Sequence, residues 1–138
     1  MILVDTSVLI DFFPKNDTSP VHKFKELITG EIPFGITSQI FQEVLQGAKS
    51  QKDYDQLKGY LETQVFYHPK DPIESFAQAA QLYRECRKKG VTPRSTVDCL
   101  IAQVAMEHDL SLLHHDKDFD RMASVVKLRI CYSQTVTI

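Results

Sequence analysis

No stretch of this chain approaches the roughly 18 consecutive apolar residues that span a bilayer, so no membrane segment is expected. The N-terminus has neither a basic flank nor a small-residue cleavage pattern, so no secretory leader is expected either. Cysteine is scarce: Cys86, Cys99 and Cys131 are odd in number, far apart and at no metal-ligand spacing. They read as free thiols of a reducing cytoplasm. An excess of basic charge is lacking too. The 16 Lys and Arg against 18 Asp and Glu leave a net charge of −2, which argues against a simple basic nucleic-acid module. A nucleic-acid enzyme stays open, because catalytic acids lower the total while basic residues collect elsewhere. No internal repeat, low-complexity tract or interdomain linker interrupts the sequence. What remains is 138 residues, 43% of them apolar, enough for one globular domain over residues 1–138.

The first eleven residues are the most informative. Ile2 to Val4 is a short β-branched, apolar run that stops abruptly at Asp5, followed by the hydroxyls of Thr6 and Ser7. Continuous apolarity without alternation marks a strand buried on both faces, as in parallel α/β sheets. Ligands of such sheets bind beyond the carboxyl ends of the strands, which is where Asp5 falls.

Strand and helix signals then alternate. Val8 to Phe13 starts a helix, and Pro14 to Pro20 is a loop of breakers and caps. Val21, Phe24, Leu27 and Ile28 recur at helical spacing up to Gly30. Pro33 to Thr37 is a short strand, and Ser38 is the expected cap of a helix carrying Ile40, Phe41, Val44 and Leu45 to Gly47. Tyr54, Leu57 and Leu61 mark a further helix, and Val65 to Tyr67 a third strand. Asp71-Pro72 is expected to open the longest helix, with Ile73, Phe76, Ala77, Ala80 and Tyr83 on its inner face and a stop at Gly90. A helix from Ser95, with Val97, Leu100, Ile101 and Val104 inward, a strand over Leu110 to Leu113, a short helix over Lys117 to Ala123 and a strand over Leu128 to Tyr132 complete the pattern. The expected fold is a three-layer α/β/α sandwich with a mainly parallel five-stranded sheet.

Four acids stand where this order of elements can bring them together. Asp5 ends the first strand, and Asp98 lies in the first turn of the Ser95 helix. Asp116 follows the fourth strand, with Asp118 and Asp120 at alternate positions after it. Glu43 lies in the helix after strand two, about 60° round from Ile40 at the edge of the apolar stripe. Several carboxylates in one cleft repel one another unless a cation neutralises them, and hard oxygen ligands suit Mg²⁺ or Mn²⁺. One or two such ions activate water and stabilise charge on a phosphodiester.

These residues resemble the PIN-domain endoribonucleases, specifically the VapC-type toxins of toxin–antitoxin pairs. The matching segments are Val4 to Asp11, Glu43 within Ser38 to Gly47, Val97 to Ala102, and Leu112 to Phe119, in order and over nearly the whole chain. The resemblance implies a metal-dependent ribonuclease in which Asp5, Glu43, Asp98 and Asp116 hold Mg²⁺ or Mn²⁺. Ser7, with Thr6 and Asp118 in support, orients Asp5 or a water. The choice between Asp116 and Asp118 as the closer ligand stays open, because the family often has Thr or Ser where His114 stands. A homodimer, and a VapB-like antitoxin that fills the acidic groove with an Arg or Lys, are implied in the same way.

Structural roles compete at each position. Asp98, three residues after Ser95, also fits a capping box; Asp116 also fits a helix cap; Glu43 also fits a solvated helix face. Asp11 and Asp120 read as surface or capping residues, His114 and His115 as rim or packing residues, and Phe12 and Phe13 as core or interface. Arg84, Arg87, Lys88, Lys89 and Arg94 crowd the stretch before the Asp98 helix. They fit a solvated helix end favoured by the macrodipole or a rim that contacts RNA phosphates. Among other functions, a receiver-type phosphorylation module needs a Lys near its last strand, where Ile130-Cys131-Tyr132 stand, and an Asp-nucleophile phosphatase needs an acid at Ser7. A catalytically inert PIN-fold interaction module is the remaining alternative.

Overall fold

The computed structural model describes residues 1–12 and 18–131. The expectations placed on Phe13, on Pro14 to Asp17 and on Tyr132 lie outside these residues. Their elements run β1 (Ile2–Val4), α1 (Thr6–Phe12), α2 (Ser19–Thr29), β2 (Phe34–Ile36), α3 (Ser38–Gln46), α4 (Gln51–Leu61), β3 (Val65–Phe66), α5 (Glu74–Lys88), α6 (Thr96–Glu107), β4 (Ser111–Leu113), α7 (Lys117–Ala123) and β5 (Arg129–Ile130).

The strands form one sheet in the order β3-β2-β1-β4-β5, with all four pairings parallel. The chain steps outward from β1 to β2 to β3, then crosses back to β4 and on to β5. Right-handed crossovers in opposite directions place their helices on opposite faces. The helix contacts agree: α1 packs on α2 and α3, and α3 on α4, whereas α5 packs on α6, α6 on β4, and α7 against β5. The result is the α/β/α sandwich expected from the sequence. The strand order reverses between β1 and β4, and ligand crevices of open parallel sheets form at such a switch point. There the Asp5 N–H donates to the Leu113 carbonyl at 2.9 Å, extending the β1–β4 ladder by one residue.

β1 reads as continuously apolar because it is central: Leu3 and Val4 are fully buried, as are Leu112 and Leu113 of β4. On β2, a Cβ at Gly35 would run into the Tyr67 ring, so glycine there lets that ring cross the strand. Among the described residues no helix is long and apolar enough to cross a membrane. Cys86, Cys99 and Cys131 are free thiols.

Several local expectations change. Thr37, not Ser38, caps α3, its hydroxyl accepting the Ile40 N–H at 3.1 Å. The longest helix begins at Glu74 rather than at Asp71-Pro72; the Asp71 carboxylate accepts the Ile73 and Glu74 N–H groups just ahead of it. Its inner face is Ser75, Ala79, Leu82 and Cys86, whereas Ile73 is 80% and Phe76 48% exposed. Both stripes have helical spacing, and packing against α6 selects the one with small residues. Ile28 of α2 is likewise more exposed than Val21, Phe24 and Leu27. The stop at Gly90 stands: its φ of +79° is in the left-handed region that favours glycine.

Candidate metal centre

Asp5 is buried at the end of β1, at the foot of the switch point. Its Oδ2 accepts the Ser7 backbone N–H at 3.0 Å and the Ser7 hydroxyl at 2.6 Å. The Ser7 oxygen in turn accepts the His115 N–H at 2.9 Å, tying the start of α1 to the loop after β4. Burial pushes the Asp5 carboxyl above the usual carboxylate range; the Ser7 bonds pull it down without cancelling that rise, and Glu43's charge adds to it. The neighbouring hydroxyl serves the second acid: Thr6 Oγ1 donates to Glu43 Oε1 at 2.9 Å. Two consecutive hydroxyls after a strand therefore hold two carboxylates 38 residues apart in the chain, Asp5 and Glu43.

At the switch point, carboxylate oxygens of Asp98, Asp116 and Asp118 all lie within 4.8 Å of one another. Asp98 stands in the first turn of α6, where the Ser95 hydroxyl accepts the Val97 and Asp98 N–H groups. Its carboxylate makes no hydrogen bond among the described residues, so the reciprocal half of a capping box is not formed. Burial pushes this carboxyl up to about 7, and the charges of Asp5, Asp116, Glu43 and Asp118 push the same way. The charges of Asp5, Glu43, Asp116 and Asp118 are thus all felt at Asp98, but the close set of oxygens among the described residues is Asp98, Asp116 and Asp118, and Asp5 and Glu43 are not part of it.

Asp116 is the N-cap of α7, its Oδ1 accepting the Asp118 N–H at 2.9 Å. Capping and cluster membership coincide in one residue. Its own N–H donates to His114 Nδ1 at 2.9 Å, and His114 Nε2 meets Asp120 Oδ1 at 3.2 Å. His114 is buried and packs on the Phe119 ring, centroids 5.2 Å apart. His115 pairs through Nδ1 with Asp11 at 2.9 Å. Asp11 and Asp120 are therefore histidine partners at the rim, rather than mere surface acids. A hollow of about 400 Å³ opens beside Asp116, bounded also by His114, His115, Lys117 and Asp120.

Of the five basic residues singled out in the sequence, Arg94 alone reaches the acids among the described contacts. Its Nε donates to Asp118 Oδ2 at 3.1 Å, and Nη2 lies 3.5 Å from Asp116 Oδ1. Arg84, Arg87, Lys88 and Lys89 are exposed at the end of α5. There Arg87 lies over the Tyr83 ring at 5.6 Å and Lys88 pairs with Glu85 at 3.6 Å. Burial alone would raise the Asp118 carboxyl, but hydrogen bonds from the Arg94 side chain and backbone, with the charges of Arg94 and Arg121, hold it below the usual range.

The donor set fits a hard divalent cation. Close carboxylates offer hard oxygen ligands, and the one that accepts no hydrogen bond has its ionised form disfavoured by burial and by its neighbours' charge, the second of which a cation would relieve. No soft ligand belongs to the cluster.

The PIN domain sequence profile matches residues 2–125. Ribonuclease VapC11 of Mycobacterium tuberculosis is 32% identical over 130 residues, covering 94% of this chain and 96% of the relative. Among solved structures, the DNA-bound VapBC of Salmonella typhimurium superposes with a TM-score of 0.71 at 19% identity, over 94% of this chain and 95% of that one. VapBC-1 from nontypeable Haemophilus influenzae gives a TM-score of 0.67 at 20% identity, over 98% and 100%. At such identities the structural likeness concerns the fold alone.

Proposed function

The chain belongs to the PIN domain family, and on that premise we propose that it is a VapC-type endoribonuclease, the toxin of a type II toxin–antitoxin pair. The 32% identity to a VapC ribonuclease over nearly the full length of both supports the activity. The VapBC complexes among its structural neighbours support a VapB-like antitoxin as partner. A homodimer, a cytoplasmic setting and a single nuclease domain over residues 1–138 belong to the same reading.

The observation that carries the chemistry is the set of carboxylate oxygens of Asp98, Asp116 and Asp118 within 4.8 Å of one another, in which the Asp98 carboxylate accepts no hydrogen bond among the described residues. Asp5, Glu43, Asp98 and Asp116 would hold Mg²⁺ or Mn²⁺ there. A divalent cation in such a site neutralises charge on the phosphodiester and lowers the pKa of the attacking water. The chain's own contribution is orientation. Ser7 fixes Oδ2 of Asp5, Thr6 fixes Oε1 of Glu43, and Asp98 must shed a proton held to about 7 before it can act as a ligand. Hydrolysis by water rather than by the ribose 2′-hydroxyl leaves 5′-phosphate and 3′-hydroxyl ends.

The test is cleavage of RNA in Mg²⁺ by the wild type, Asp5→Asn and Asp98→Asn. Cleavage by the wild type, loss in both variants and loss in EDTA support this reading. Unchanged cleavage in either variant, or activity that persists in EDTA, overturns the mechanism. A wild type that binds no Mn²⁺ and cuts no RNA favours the inert interaction module.

A further inference from the structure

Asp118 belongs to the acid cluster by distance but differs from its neighbours in how it is bonded. Its side chain is 3% exposed, and Oδ2 accepts both the Arg94 backbone N–H at 3.2 Å and Arg94 Nε at 3.1 Å. Oδ1 accepts Arg121 Nη1 at 3.4 Å. Both oxygens are engaged, and two guanidinium groups already balance the charge. A metal ion gains little from such a carboxylate and is repelled by the cations beside it. Asp98 is in the opposite condition. The Asp98 carboxylate accepts no hydrogen bond among the described residues, and Asp116 lies between the two: its Oδ1 accepts the Asp118 N–H at 2.9 Å and Arg94 Nη2 at 3.5 Å, whereas no bond to its Oδ2 is made among the described residues.

Arg94 shows the other side of this arrangement. Its backbone and its Nε are both pinned to one buried carboxylate, yet 75% of its side chain is exposed. A guanidinium has five N–H donors. Nε is spent on Asp118 and one Nη2 hydrogen points toward Asp116, so three donors have no partner among the described residues. Nη2 itself is 3.5 Å from Asp116 Oδ1, which puts this guanidinium at the edge of the cluster, beside the phosphodiester that the ribonuclease reading brings there. A surface ion pair would leave such an arginine floppy and worth little, whereas a buried anchor pre-organises the planar fork that suits phosphate oxygens.

We propose that Arg94 binds an RNA phosphate at the active site and that Asp118 is its positioning anchor rather than a metal ligand. This rests on the ribonuclease reading and separates Arg94 from the four exposed cations of α5. It also assigns the metal to the acids other than Asp118.

Two measurements divide the roles. The first is Mn²⁺ binding followed by electron paramagnetic resonance. The second is anisotropy of a fluorescein-labelled single-stranded RNA with Ca²⁺ in place of Mg²⁺, between about 50 and 200 mM salt. Arg94→Gln should weaken RNA binding about tenfold, the scale of a hydrogen bond to a charged group. It should also reduce the log–log salt slope by about 0.7, one phosphate contact on a single strand. KM for RNA should rise more than kcat falls, Arg94→Lys should recover part of the loss, and Mn²⁺ affinity should not fall. Asp118→Asn should reproduce the RNA defect and still bind Mn²⁺, whereas Asp98→Asn should lose Mn²⁺. Loss of Mn²⁺ in a folded Asp118→Asn makes Asp118 a ligand and overturns the proposal, as does wild-type RNA binding by Arg94→Gln. If Asp118→Asn does not fold, the exposed Arg94 variants decide. Absence of cleavage by the wild type would defeat the ribonuclease reading alone, because the partition of Mn²⁺ between Asp98 and Asp118 is read without turnover.

Discussion

The two walls of the acid site treat their charges in opposite ways. On the α7 wall, Asp118 is bonded by Arg94 and Arg121, Asp120 meets His114, and Asp116 caps the helix it begins. On the wall formed by the end of β1, α3 and the start of α6, Asp5 and Glu43 have only hydroxyl or amide hydrogen-bond partners, and the Asp98 carboxylate has none, among the described residues. The carboxyls respond accordingly: Asp118 is held below the usual range, whereas burial and like charge raise Asp98 to about 7 and burial raises Asp5. The chain's own cations compensate Asp118, whereas Asp5, Glu43 and Asp98 have no ion-pair partner among the described residues. A site built only for stability would compensate both.

The largest expected effect comes from the uncompensated wall. Asp98→Asn or Asp5→Asn should lower RNA cleavage well beyond the roughly 100-fold that marks loss of a ligand's supporting partner. Steady-state rates of the folded variants give the answer, and losses below tenfold would mean that this wall does not hold the metal. Ser7→Ala comes next. It removes a 2.6 Å bond to Asp5 and the acceptor for the His115 N–H, so a loss of about 10–100-fold in rate is expected. Normal activity in Ser7→Ala would show that Asp5 needs no orienting.

The comparison also predicts opposite pH slopes for apo-protein stability. Asp98 has a folded value raised to about 7, so it favours the folded state at low pH and loses that contribution as pH rises from about 4 through 7. Asp118 has a lowered folded value, so its contribution is present above about pH 4 and is lost on acidification below that. Thermal melts without metal should show Asp98→Asn gaining on the wild type as pH rises. Asp118→Asn should lose on it at neutral pH and less in acid. Each kcal/mol corresponds to about 4 °C in a domain of this size. Parallel curves for both variants would remove the distinction between the walls. The smallest effect belongs to Thr6→Val, which deletes one exposed hydrogen bond to Glu43; a change in rate under about tenfold is expected, and a larger one would promote Thr6 to an essential support.

The parts of this account that depend on local chemistry were legible in the sequence. The run before Asp5 reads as a buried strand because β1 is central, Ser95 announces α6, and Lys117 to Ala123 is bounded by Asp116, its own cap. The acids follow from their places at strand ends and helix starts. The inner face of α5 does not follow, because Ile73, Phe76 and Tyr83 form as regular a stripe as Ser75, Ala79, Leu82 and Cys86, and only the neighbouring α6 decides between them. The bonds that set the two walls apart are equally hidden. Arg94 and Asp118 are 24 residues apart, and Asp11 and His115 are 104 apart. No spacing rule connects such pairs before the sheet has closed. Thr6, read only as support, has no local mark that singles out Glu43 as its partner.

The most direct test of the central claim is Mn²⁺ titration by calorimetry of the wild type and Asp98→Asn at about pH 6 and about pH 8, either side of the Asp98 value. The wild type should bind more tightly at the higher pH, with proton release on binding that is larger at the lower pH, and Asp98→Asn should not bind. Binding by Asp98→Asn with the affinity of the wild type, or no binding by either at about pH 8, would contradict the claim that Asp98 and its uncompensated neighbours hold the metal.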